Sequence, residues 1–357
     1  MENKIPHILM TGGGTLGPVV PLISIVEAWK VKNPRVIVSW IGTPKGPERE
    51  VIEERHETFY ELYSPKLSRE KKWLWPLVPA LFIFSCFKAL ILLLKIQPDI
   101  IFTAGGFVSV PVVVVGRMLG IPIWVHQLDV VPGIANKIMA LFAKRVSVTF
   151  IESEVAFPKY KTEVVGGIAS VRSNEGDRDK FIKDFSLDPN KPTIFVTGGG
   201  TGAVEINKAM ALIGAELVAE MNIIHLTGIG KMLPELEGMP KGYWSQEFMN
   251  EEIKHAYALA DIVVSRAGLG TILDLIGAGK PTILIPIMGS HQERNAEVLK
   301  ERGAAMVIKN MTPQLLKQEI RHLISDLPLR TGLSEAIGQA ISLKGQEKIV
   351  EEANSWL

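Results

Sequence analysis

The chain has 357 residues, of which 47% are hydrophobic and 22% are charged, and its formal net charge is +1. This length allows two α/β domains with a core each, and the hydrophobic content excludes a disordered chain. The near-neutral charge gives no reason to expect nucleic acid as a partner. A single cysteine, Cys86, excludes an internal disulfide framework and is ordinary for a reducing compartment.

Basic residues are concentrated in the first part of the chain. Residues 1–165 carry 19 Lys and Arg against 14 Asp and Glu, a balance of +5, and the rest carries 20 against 24, a balance of −4. This distribution favours an anionic surface or ligand on the N-terminal side. The N-terminus leads directly into an apolar strand without a signal-peptide pattern, so we expect a protein that is not exported.

Apolar runs alternate with segments of helical periodicity through the first half of the chain. The strands predicted there cover 8–10, 36–41, 59–62, 100–103, 123–125 and 145–148, and the main helices cover 19–30, 110–119 and 133–142. This order predicts a parallel sheet covered by helices, in an N-terminal domain of residues 1–165.

One segment between two of these strands, residues 73–94, is apolar almost throughout and follows three basic residues. Its length approaches that of a transmembrane helix. A βαβ crossover, however, cannot place two strands of one sheet on opposite sides of a membrane. We therefore favour a helix on the membrane surface, with Trp73 and Trp75 at the interface, over a helix that only covers the sheet or one that spans the bilayer.

The second half of the chain repeats the alternation of strands and helices. Its predicted strands cover 193–197, 223–227, 262–265, 282–285 and 305–308. They form a second domain of residues 166–335, after a charged linker around 160–190, and residues 336–357 are expected to form a helix that packs back across the junction. The predicted fold class is α/β, with two facing Rossmann-like doubly wound domains and a cleft between them.

The five residues Thr-Gly-Gly-Gly-Thr occur twice, at 11–15 and at 197–201. Each copy follows an apolar run and precedes a helical segment. A buried strand, a glycine turn and a helix N-terminus together suit the binding of phosphate or diphosphate. Another glycine turn, at 104–109, follows a further strand of the first half.

Several nucleotide and metal motifs are missing from the sequence. Neither glycine repeat continues as G-x-G-x-x-G with an acidic residue after the next strand, and there is no P-loop, which argues against a dehydrogenase or an NTPase. Residues 177–179 read Asp-Arg-Asp but lie in the charged linker, and the seven histidines are dispersed. We therefore expect neither a metal site nor a cofactor.

Residues 266–274 combine a glycine-rich helix start with a carboxylate one turn into the helix. Gly268 and Gly270 would let backbone N–H groups approach a diphosphate, and Asp274 could accept hydrogen bonds from ribose hydroxyls. The alternative is an Asp that only complements the helix dipole. Residues 289–296 follow another predicted strand and carry polar groups suited to a sugar.

The order of these motifs resembles the MurG family, the two-domain GT-B glycosyltransferases that add N-acetylglucosamine to the lipid-linked peptidoglycan precursor. The resemblance runs from Gly12 to about Ile308. The stretches that carry it are 13–17, 105–109, 126–129, 133–137, 198–203 with Asn207, 260–274, 291–292 and 295–296. The set is specific, although no single stretch is.

The resemblance implies that the first domain holds the lipid acceptor at the cytoplasmic face of the cell membrane and that the second holds UDP-N-acetylglucosamine. The implied acceptor residues are Gly13, Gly14, Gly105, Gly106, Phe107 and Ser109. The implied donor residues are Thr15, Leu16, Gly17, Asp129, Arg172, Gly199, Gly200, Thr201, Asn207, Phe248, Met249, Gly268, Leu269, Gly270, Thr271, Asp274 and Gln292. Phe248 and Met249 would contact the uracil. Asp274 would contact the ribose, and Gln292 the transferred sugar.

Departures from the family pattern concern the chemistry. The first glycine motif ordinarily continues into a histidine where this chain has Pro18, and the usual His-Glu-Gln-Asn reads His-Gln-Leu-Asp at 126–129. An inverting transfer needs a base within reach of the acceptor hydroxyl, and proline has no proton to exchange. We predict Asp129 as this base and His126 as the second candidate, while a structural turn residue is the alternative for Asp129. Arg172 does not have the usual spacing.

The sequence thus predicts an inverting, metal-independent transfer of N-acetylglucosamine from UDP to lipid-linked N-acetylmuramoyl-pentapeptide. A transferase for another lipid, such as diacylglycerol, would share the fold and the donor. The Pro18 change leaves a catalytically silent binding protein as an alternative. A UDP-sugar epimerase shares the architecture but has no use for the apolar segment 73–94.

Overall fold

The protein is described from a computed structural model that covers residues 5–65, 76–168, 176–185, 187–200, 202–250 and 252–357. The chain folds into two compact units. The first comprises Met1–Ile168 together with Lys344–Leu357, and the second comprises Ala169–Leu343.

The first unit is a parallel sheet of seven strands that alternate with helices. Its elements are β1 (His7–Thr11), α1 (Val19–Lys32), β2 (Ile37–Gly42), α2 (Glu48–Glu53), β3 (Thr58–Glu61), α3 (Val78–Ile96), β4 (Ile100–Thr103), α4 (Ser109–Met118), β5 (Ile123–Gln127), α5 (Ile134–Phe142), β6 (Arg145–Val148) and β7 (Thr162–Val164). Short 3₁₀ helices at Ile151–Ala156 and Lys159–Lys161 connect the last two strands.

The second unit is a parallel sheet of six strands. Its elements are α6 (Arg178–Asp184), β8 (Thr193–Thr197), α7 (Val204–Leu217), β9 (Asn222–Leu226), α8 (Pro234–Glu237), β10 (Tyr243–Gln246), α9 (Ile253–Leu259), β11 (Ile262–Ser265), α10 (Leu269–Ala278), β12 (Thr282–Leu284), α11 (Gln292–Glu301), β13 (Met306–Val307), α12 (Pro313–Ser325) and α13 (Leu327–Gln339). The chain then returns to the first unit as α14 (Gly345–Asn354), which packs on α1.

The two sheets share one topology. The strand order is β3-β2-β1-β4-β5-β6-β7 in the first and β10-β9-β8-β11-β12-β13 in the second, so the first strand of each unit lies between the second and the fourth. All neighbouring strands are parallel. The apolar runs of the sequence form these strands because helices cover both faces of such a sheet.

The core of the first unit has two layers, one on each face of the sheet. Ile8 and Met10 belong to one layer and Leu9 to the other, as the two-residue period of a strand requires. α1 and α14 cover the first face, whereas α3, α4 and α5 cover the second. Trp356, just after α14, stacks on Trp124 of β5 with ring centroids 5.2 Å apart.

Among the described helices, α3 alone is long and apolar enough to cross a membrane by length and composition, and 22% of its most apolar window is buried. It connects β3 to β4, which belong to one parallel sheet. Ser85, Ala89 and Leu93 of α3 are buried, so one face of the helix packs against the unit. The residues of the predicted segment before 76, including Trp73 and Trp75, lie outside the described part of the chain.

Some elements differ from the sequence prediction. β7 lies where a linker was expected, and β10 was not predicted at all. Both are short strands at the edges of their sheets, where the side chains are partly exposed and the apolar pattern is weak. The predicted C-terminal helix is two helices, α13 in the second unit and α14 in the first.

Candidate active site

Each sheet reverses its strand order at one point, between β1 and β4 in the first unit and between β8 and β11 in the second. Ligands of open α/β sheets bind at such points, beyond the carboxyl ends of the strands. The two Thr-Gly-Gly-Gly-Thr repeats follow β1 and β8, and the other glycine turns follow β4 and β11. The repeated sequence thus occupies equivalent positions in the two units.

The two glycine turns of the first unit are in direct contact. A Cβ atom on Gly106 would lie 3.1 Å from the backbone N and O atoms of Gly13. Ser109 connects the turns, because its hydroxyl donates to the Gly105 carbonyl (3.1 Å) and accepts from Thr11 Oγ1 (3.3 Å). Ser109 is fully buried, so the structure favours a hydroxyl that positions the turns over the predicted contact with the acceptor.

The backbone N–H of Gly14 points to a carboxylate of the same unit. It lies 3.2 Å from both carboxylate oxygens of Glu48, the first residue of α2. This hydrogen bond engages the Gly14 N–H within the unit, which disfavours the predicted contact of this group with a diphosphate. Glu48 was not recognised from the sequence, although it begins the helix after the turn that follows β2.

Thr15, Leu16 and Gly17, the next three residues, are exposed. The Leu16 carbonyl accepts the N–H groups of Val19 and Val20, each at 3.0 Å, and so begins α1. These three residues are therefore accessible, at the edge of the sheet where a substrate would approach. In the second glycine turn, Phe107 is partly exposed, and its carbonyl accepts from Ser64 Oγ at 2.9 Å.

His126, at the end of β5, is buried in a hydroxyl network. Its Nδ1 lies 2.8 Å from Ser147 Oγ, and its Nε2 lies 3.2 Å from Thr149 Oγ1. Burial lowers the pKa of His126 to about 3, so the ring is neutral at physiological pH. With both ring nitrogens engaged inside the unit, the geometry disfavours His126 as the base and favours a structural role.

Asp129 lies two residues beyond β5 and is partly exposed. Its backbone carbonyl accepts from the Gln127 side chain (2.6 Å) and from Ser153 Oγ (3.3 Å), which fixes the turn. The Asn136 amide donates to Gln127 Oε1 at 2.7 Å, and its Oδ1 lies 3.1 Å from where a Cβ on Gly105 would be. Through Gln127 and Asn136, these contacts connect the backbone of Asp129 to the second glycine turn.

Four of the donor residues predicted for the second unit lie in two close pairs. A Cβ atom on Gly199 would lie 2.7 Å from Thr271 Oγ1, and one on Gly268 would lie 3.7 Å from Gln292 Nε2. The turn after β8, the start of α10 and the start of α11 therefore meet. Gly199 has a φ of +72°, a conformation that favours glycine, so the turn can approach Thr271 this closely.

The N-terminus of α10 carries the backbone donors of this site. The first intrahelical hydrogen bond runs from Ile272 N–H to the Gly268 carbonyl (3.0 Å), so the N–H groups of residues 269–271 lie outside the helical ladder. They suit a diphosphate, because the helix dipole also favours negative charge there. The Leu269 side chain is buried, and this residue therefore offers only its N–H group.

Asp274 lies one turn further along α10. It is partly exposed, yet surrounding protein raises the pKa of its carboxyl to about 7 through burial. Hydrogen bonds from hydroxyl groups would stabilise a carboxylate in this environment, and a ribose would supply two such groups. Asp274 follows the N–H groups at the start of α10 by about one helical turn.

Asn207, predicted to bind the donor, is fully buried instead. Its Nδ2 donates to the carbonyls of Thr227 and Lys231, each at 3.0 Å, so its Oδ1 accepts from His225 Nε2 at 3.0 Å. His225 Nδ1 in turn accepts from the Tyr243 hydroxyl at 2.7 Å. In this network the Asn207 side chain holds the turn after β9, which favours a structural role over the predicted contact with the donor.

We expect Asn207→Leu to lower the free energy of unfolding by about 2–3 kcal/mol, because it removes the hydrogen bonds to the Thr227 and Lys231 carbonyls and leaves the buried His225 donor without its Asn207 acceptor. Urea unfolding measures the change. Asn190→Leu, at an exposed position of the same unit, is the control and should change stability by less than about 0.5 kcal/mol. Equal small effects for both substitutions would contradict the structural role of Asn207.

The remaining predicted donor residues differ in their exposure. Phe248, after β10, is 53% exposed and can stack on a base, whereas the neighbouring Met249 is buried. Gly200 and Gly270 can contribute only backbone groups to a ligand site. Thr201 and Arg172 lie outside the described residues. Within the described ranges, no cluster of three or more His, Cys, Asp or Glu side chains could hold a metal ion.

Known proteins are similar to this chain in both sequence and fold. The models of the glycosyltransferase family 28 N-terminal and C-terminal domains match residues 8–148 and 193–342. A UDP-N-acetylglucosamine--N-acetylmuramyl-(pentapeptide) pyrophosphoryl-undecaprenol N-acetylglucosamine transferase of Lachnospira eligens is 35% identical over 325 residues, which cover 89% of this chain and 91% of that protein. A Geobacillus kaustophilus protein of the same name is 35% identical over 323 residues, covering 88% of this chain and 90% of that protein.

Among solved structures, that of Acinetobacter baumannii MurG superimposes with a TM-score of 0.79 over 99% of this chain and 100% of that one. Its sequence identity is 23%, so this likeness concerns the fold. The family models, the relatives and the two parallel-sheet units agree with each other. The chain therefore belongs to the MurG family of GT-B glycosyltransferases, within glycosyltransferase family 28.

Proposed function

We propose that this protein transfers N-acetylglucosamine, with inversion, from UDP-N-acetylglucosamine to undecaprenyl-diphospho-N-acetylmuramoyl-pentapeptide, a step of peptidoglycan synthesis. The observation that carries the proposal is the 35% identity, over 89% of the chain, to a relative whose name specifies this transfer. The glycine turn after β4 and the glycine turns of the second unit lie at the two strand-order reversals and would supply the anion sites that such a reaction needs.

The donor is assigned to the second unit. The N–H groups at the start of α10 would bind the diphosphate, and they would also stabilise the charge that develops on the departing UDP. Asp274 would accept hydrogen bonds from the ribose, Phe248 would pack on the uracil and Gln292 would contact the sugar. The convergence of Gly199, Thr271, Gly268 and Gln292 supports this assignment.

The acceptor is assigned to the first unit. The turn at Gly105–Phe107 would hold the diphosphate of the acceptor, close to Asn136. Asp129 would take the proton from the acceptor hydroxyl as it attacks the anomeric carbon, since a carboxylate can serve as a general base. His126 would keep the end of β5 in place through its hydroxyl partners.

The protein is proposed to bind the cytoplasmic surface of the cell membrane through α3. Ile83, Phe84, Phe87, Ile91 and Leu94 form an exposed apolar stripe on this helix, and each is 49–69% exposed. Lys88 and Lys95 are exposed on the same helix and can meet anionic headgroups. This surface would bring the acceptor site to a substrate whose lipid stays in the bilayer.

The α5 helix carries a second exposed apolar stripe. Ile134, Ile138 and Leu141 repeat at helical spacing and are 36–69% exposed. Since α3, α4 and α5 cover the same face of the sheet, both stripes belong to one helical layer. A surface of this kind favours contact with lipid over a purely structural covering helix.

Phe87→Glu should weaken binding to vesicles that contain anionic phospholipid by about tenfold or more, because an exposed phenyl ring that would enter the lipid is replaced by a charge that the headgroups repel. Vesicle co-sedimentation measures the partition coefficient. Leu212→Glu, at a residue of the second unit that is 75% exposed, is the matched control and should bind as the wild type does. Equal binding of both variants would refute the assignment of α3.

The proposed reaction is tested with purified protein, UDP-N-acetylglucosamine and the lipid-linked acceptor, with diacylglycerol as a competing acceptor in parallel reactions. We expect the disaccharide-lipid and no glycosyl-diacylglycerol. Glycosylation of diacylglycerol alone would assign a different lipid transferase. UDP binding without any product, under conditions in which a related enzyme turns over, would assign a silent binding protein.

A further inference from the structure

The first glycine turn contains a carboxylate of the protein itself. Besides the Gly14 N–H, the Glu48 side chain accepts from the backbone N–H of Thr43 at 2.7 Å and from the Thr43 hydroxyl at 2.5 Å. Glu48 is 1% exposed. Its negative charge is therefore removed from water and stabilised by N–H and O–H donors from the turns after β1 and β2.

Glycines enclose this carboxylate on two sides. A Cβ atom on Gly13 would lie 2.1 Å from Glu48 Oε1, and one on Gly46 would lie 2.0 Å from Oε2. A side chain at either position would displace the carboxylate. The turn after β1 is thus built around an internal anion, in the way that other glycine turns are built around a bound phosphate.

This arrangement fixes the residues that follow. The Gly14 N–H is held by Glu48 on one side, and the Leu16 carbonyl begins α1 on the other. Thr15 lies between these two points, and both Thr15 and Leu16 are exposed. Their backbone has little freedom while the carboxylate is in place.

We propose that Glu48 is a positioning residue for sugar transfer: its carboxylate holds the turn after β1 so that residues 15–17 present a fixed surface to the reacting sugars. The inference rests on the proposed function, because it takes residues 15–17 as part of the transfer site. It also assigns the acceptor diphosphate to the other glycine turn, at 105–107, since the buried charge of Glu48 repels a second anion at Gly14.

The first test is Glu48→Gln, which keeps the size of the side chain and replaces one acceptor oxygen by an amino group facing the donors of Thr43 and Gly14. We expect kcat to fall by about 10–100-fold, as when reacting groups are displaced by about 1 Å. KM for UDP-N-acetylglucosamine should stay within about twofold, because the residues assigned to the nucleotide lie in the other unit. Glu50→Gln, at an exposed position of α2, is the control and should match the wild type.

Thr43→Val keeps the test valid if Glu48→Gln does not fold, because it removes only the hydroxyl donor. It should lower kcat by about 3–10-fold, in line with the loss of one charge-assisted hydrogen bond. An unchanged kcat in folded Glu48→Gln, or in Thr43→Val if the first variant fails to fold, would overturn the inference. So would a parallel loss of kcat and of donor affinity, since that indicates general damage.

Hydrogen exchange of the peptide 12–17 tests the turn without any substrate. We expect protection in the wild type and in Glu50→Gln, and its loss in Glu48→Gln. Absence of product from the wild-type protein would contradict the proposed function, whereas exchange would still report on Glu48. A peptide that exchanges freely in the wild type would overturn the positioning role.

Discussion

Replacing Asp129 by asparagine is expected to lower kcat by about 10²–10⁴-fold, because the variant keeps the shape of the side chain and loses the group that accepts the proton. Affinity for UDP-N-acetylglucosamine should change little, since the residues assigned to the nucleotide lie in the second unit. The measurement is steady-state transfer to the lipid acceptor, combined with titration of the donor in the absence of acceptor. Loss of kcat with donor binding intact is the expected pattern.

This substitution is informative because it restores the residue that the family usually carries at the position. The family histidine that follows the first glycine motif is Pro18 here, at the start of α1. We expect Pro18→His to recover part of the activity of Asp129→Asn, because it supplies a second group able to accept a proton. An Asp129→Asn variant that is as active as the wild type would show that another residue is the base.

The second large effect is expected for Asp274→Asn, which should raise KM for UDP-N-acetylglucosamine by about 10–100-fold, the value of hydrogen bonds to a charged acceptor. The raised pKa of Asp274, about 7, adds a pH dependence. The ribose is bound best by the ionised carboxylate, so wild-type KM should rise as the pH falls through 7. The intact donor is the right probe, because its doubly esterified diphosphate does not titrate in this range.

In Asp274→Asn, KM should be high and nearly independent of pH between about 6 and 8. Glu297→Gln removes an exposed carboxylate of the same unit, one that pairs with Lys309, and serves as the control with unchanged KM. A wild-type KM that does not vary with pH, or a variant that keeps the wild-type KM, would contradict the role of Asp274.

Stability should change in the opposite direction at this residue. Its folded-state pKa is raised, so the native state binds more protons than the unfolded state between about pH 4 and 7, and stability is lost as the pH rises through that window. Asp274→Asn should therefore be more stable than the wild type at pH 8, by about 1–3 kcal/mol, with the difference disappearing near pH 4. This combination of weaker binding and higher stability is typical of a residue retained for function.

The sequence predicts much of the fold because the interior strands are continuous apolar runs. β1, β4, β8 and β11 are buried and were all predicted close to their observed bounds. The Thr-Gly-Gly-Gly-Thr repeat also predicts the equivalence of the two units, since a strand and a helix must meet at the same turn in each. Edge strands such as β7 and β10 lack this signal because solvent covers part of their side chains.

The sequence predicts which turns form the site better than it predicts what each side chain does there. Glycine spacing locates the turns, and the donor residues of α10 and α11 do converge. Ser109, Asn207 and His126, however, carry polar groups that the fold uses internally. The direction in which a side chain points depends on partners far along the chain, and no local sequence pattern specifies it. Glu48, whose carboxylate accepts from the Gly14 N–H, is an example.

The proposed transfer is tested most directly by the identity and linkage of the product formed from UDP-N-acetylglucosamine when the lipid-linked N-acetylmuramoyl-pentapeptide and diacylglycerol are present together in equal amounts. We expect one product, an N-acetylglucosaminyl-N-acetylmuramoyl lipid whose new bond is β, inverted from the α-linked donor, as a single displacement requires. An α-linked product, or diacylglycerol carrying N-acetylglucosamine in place of the disaccharide-lipid, would contradict the proposed transfer.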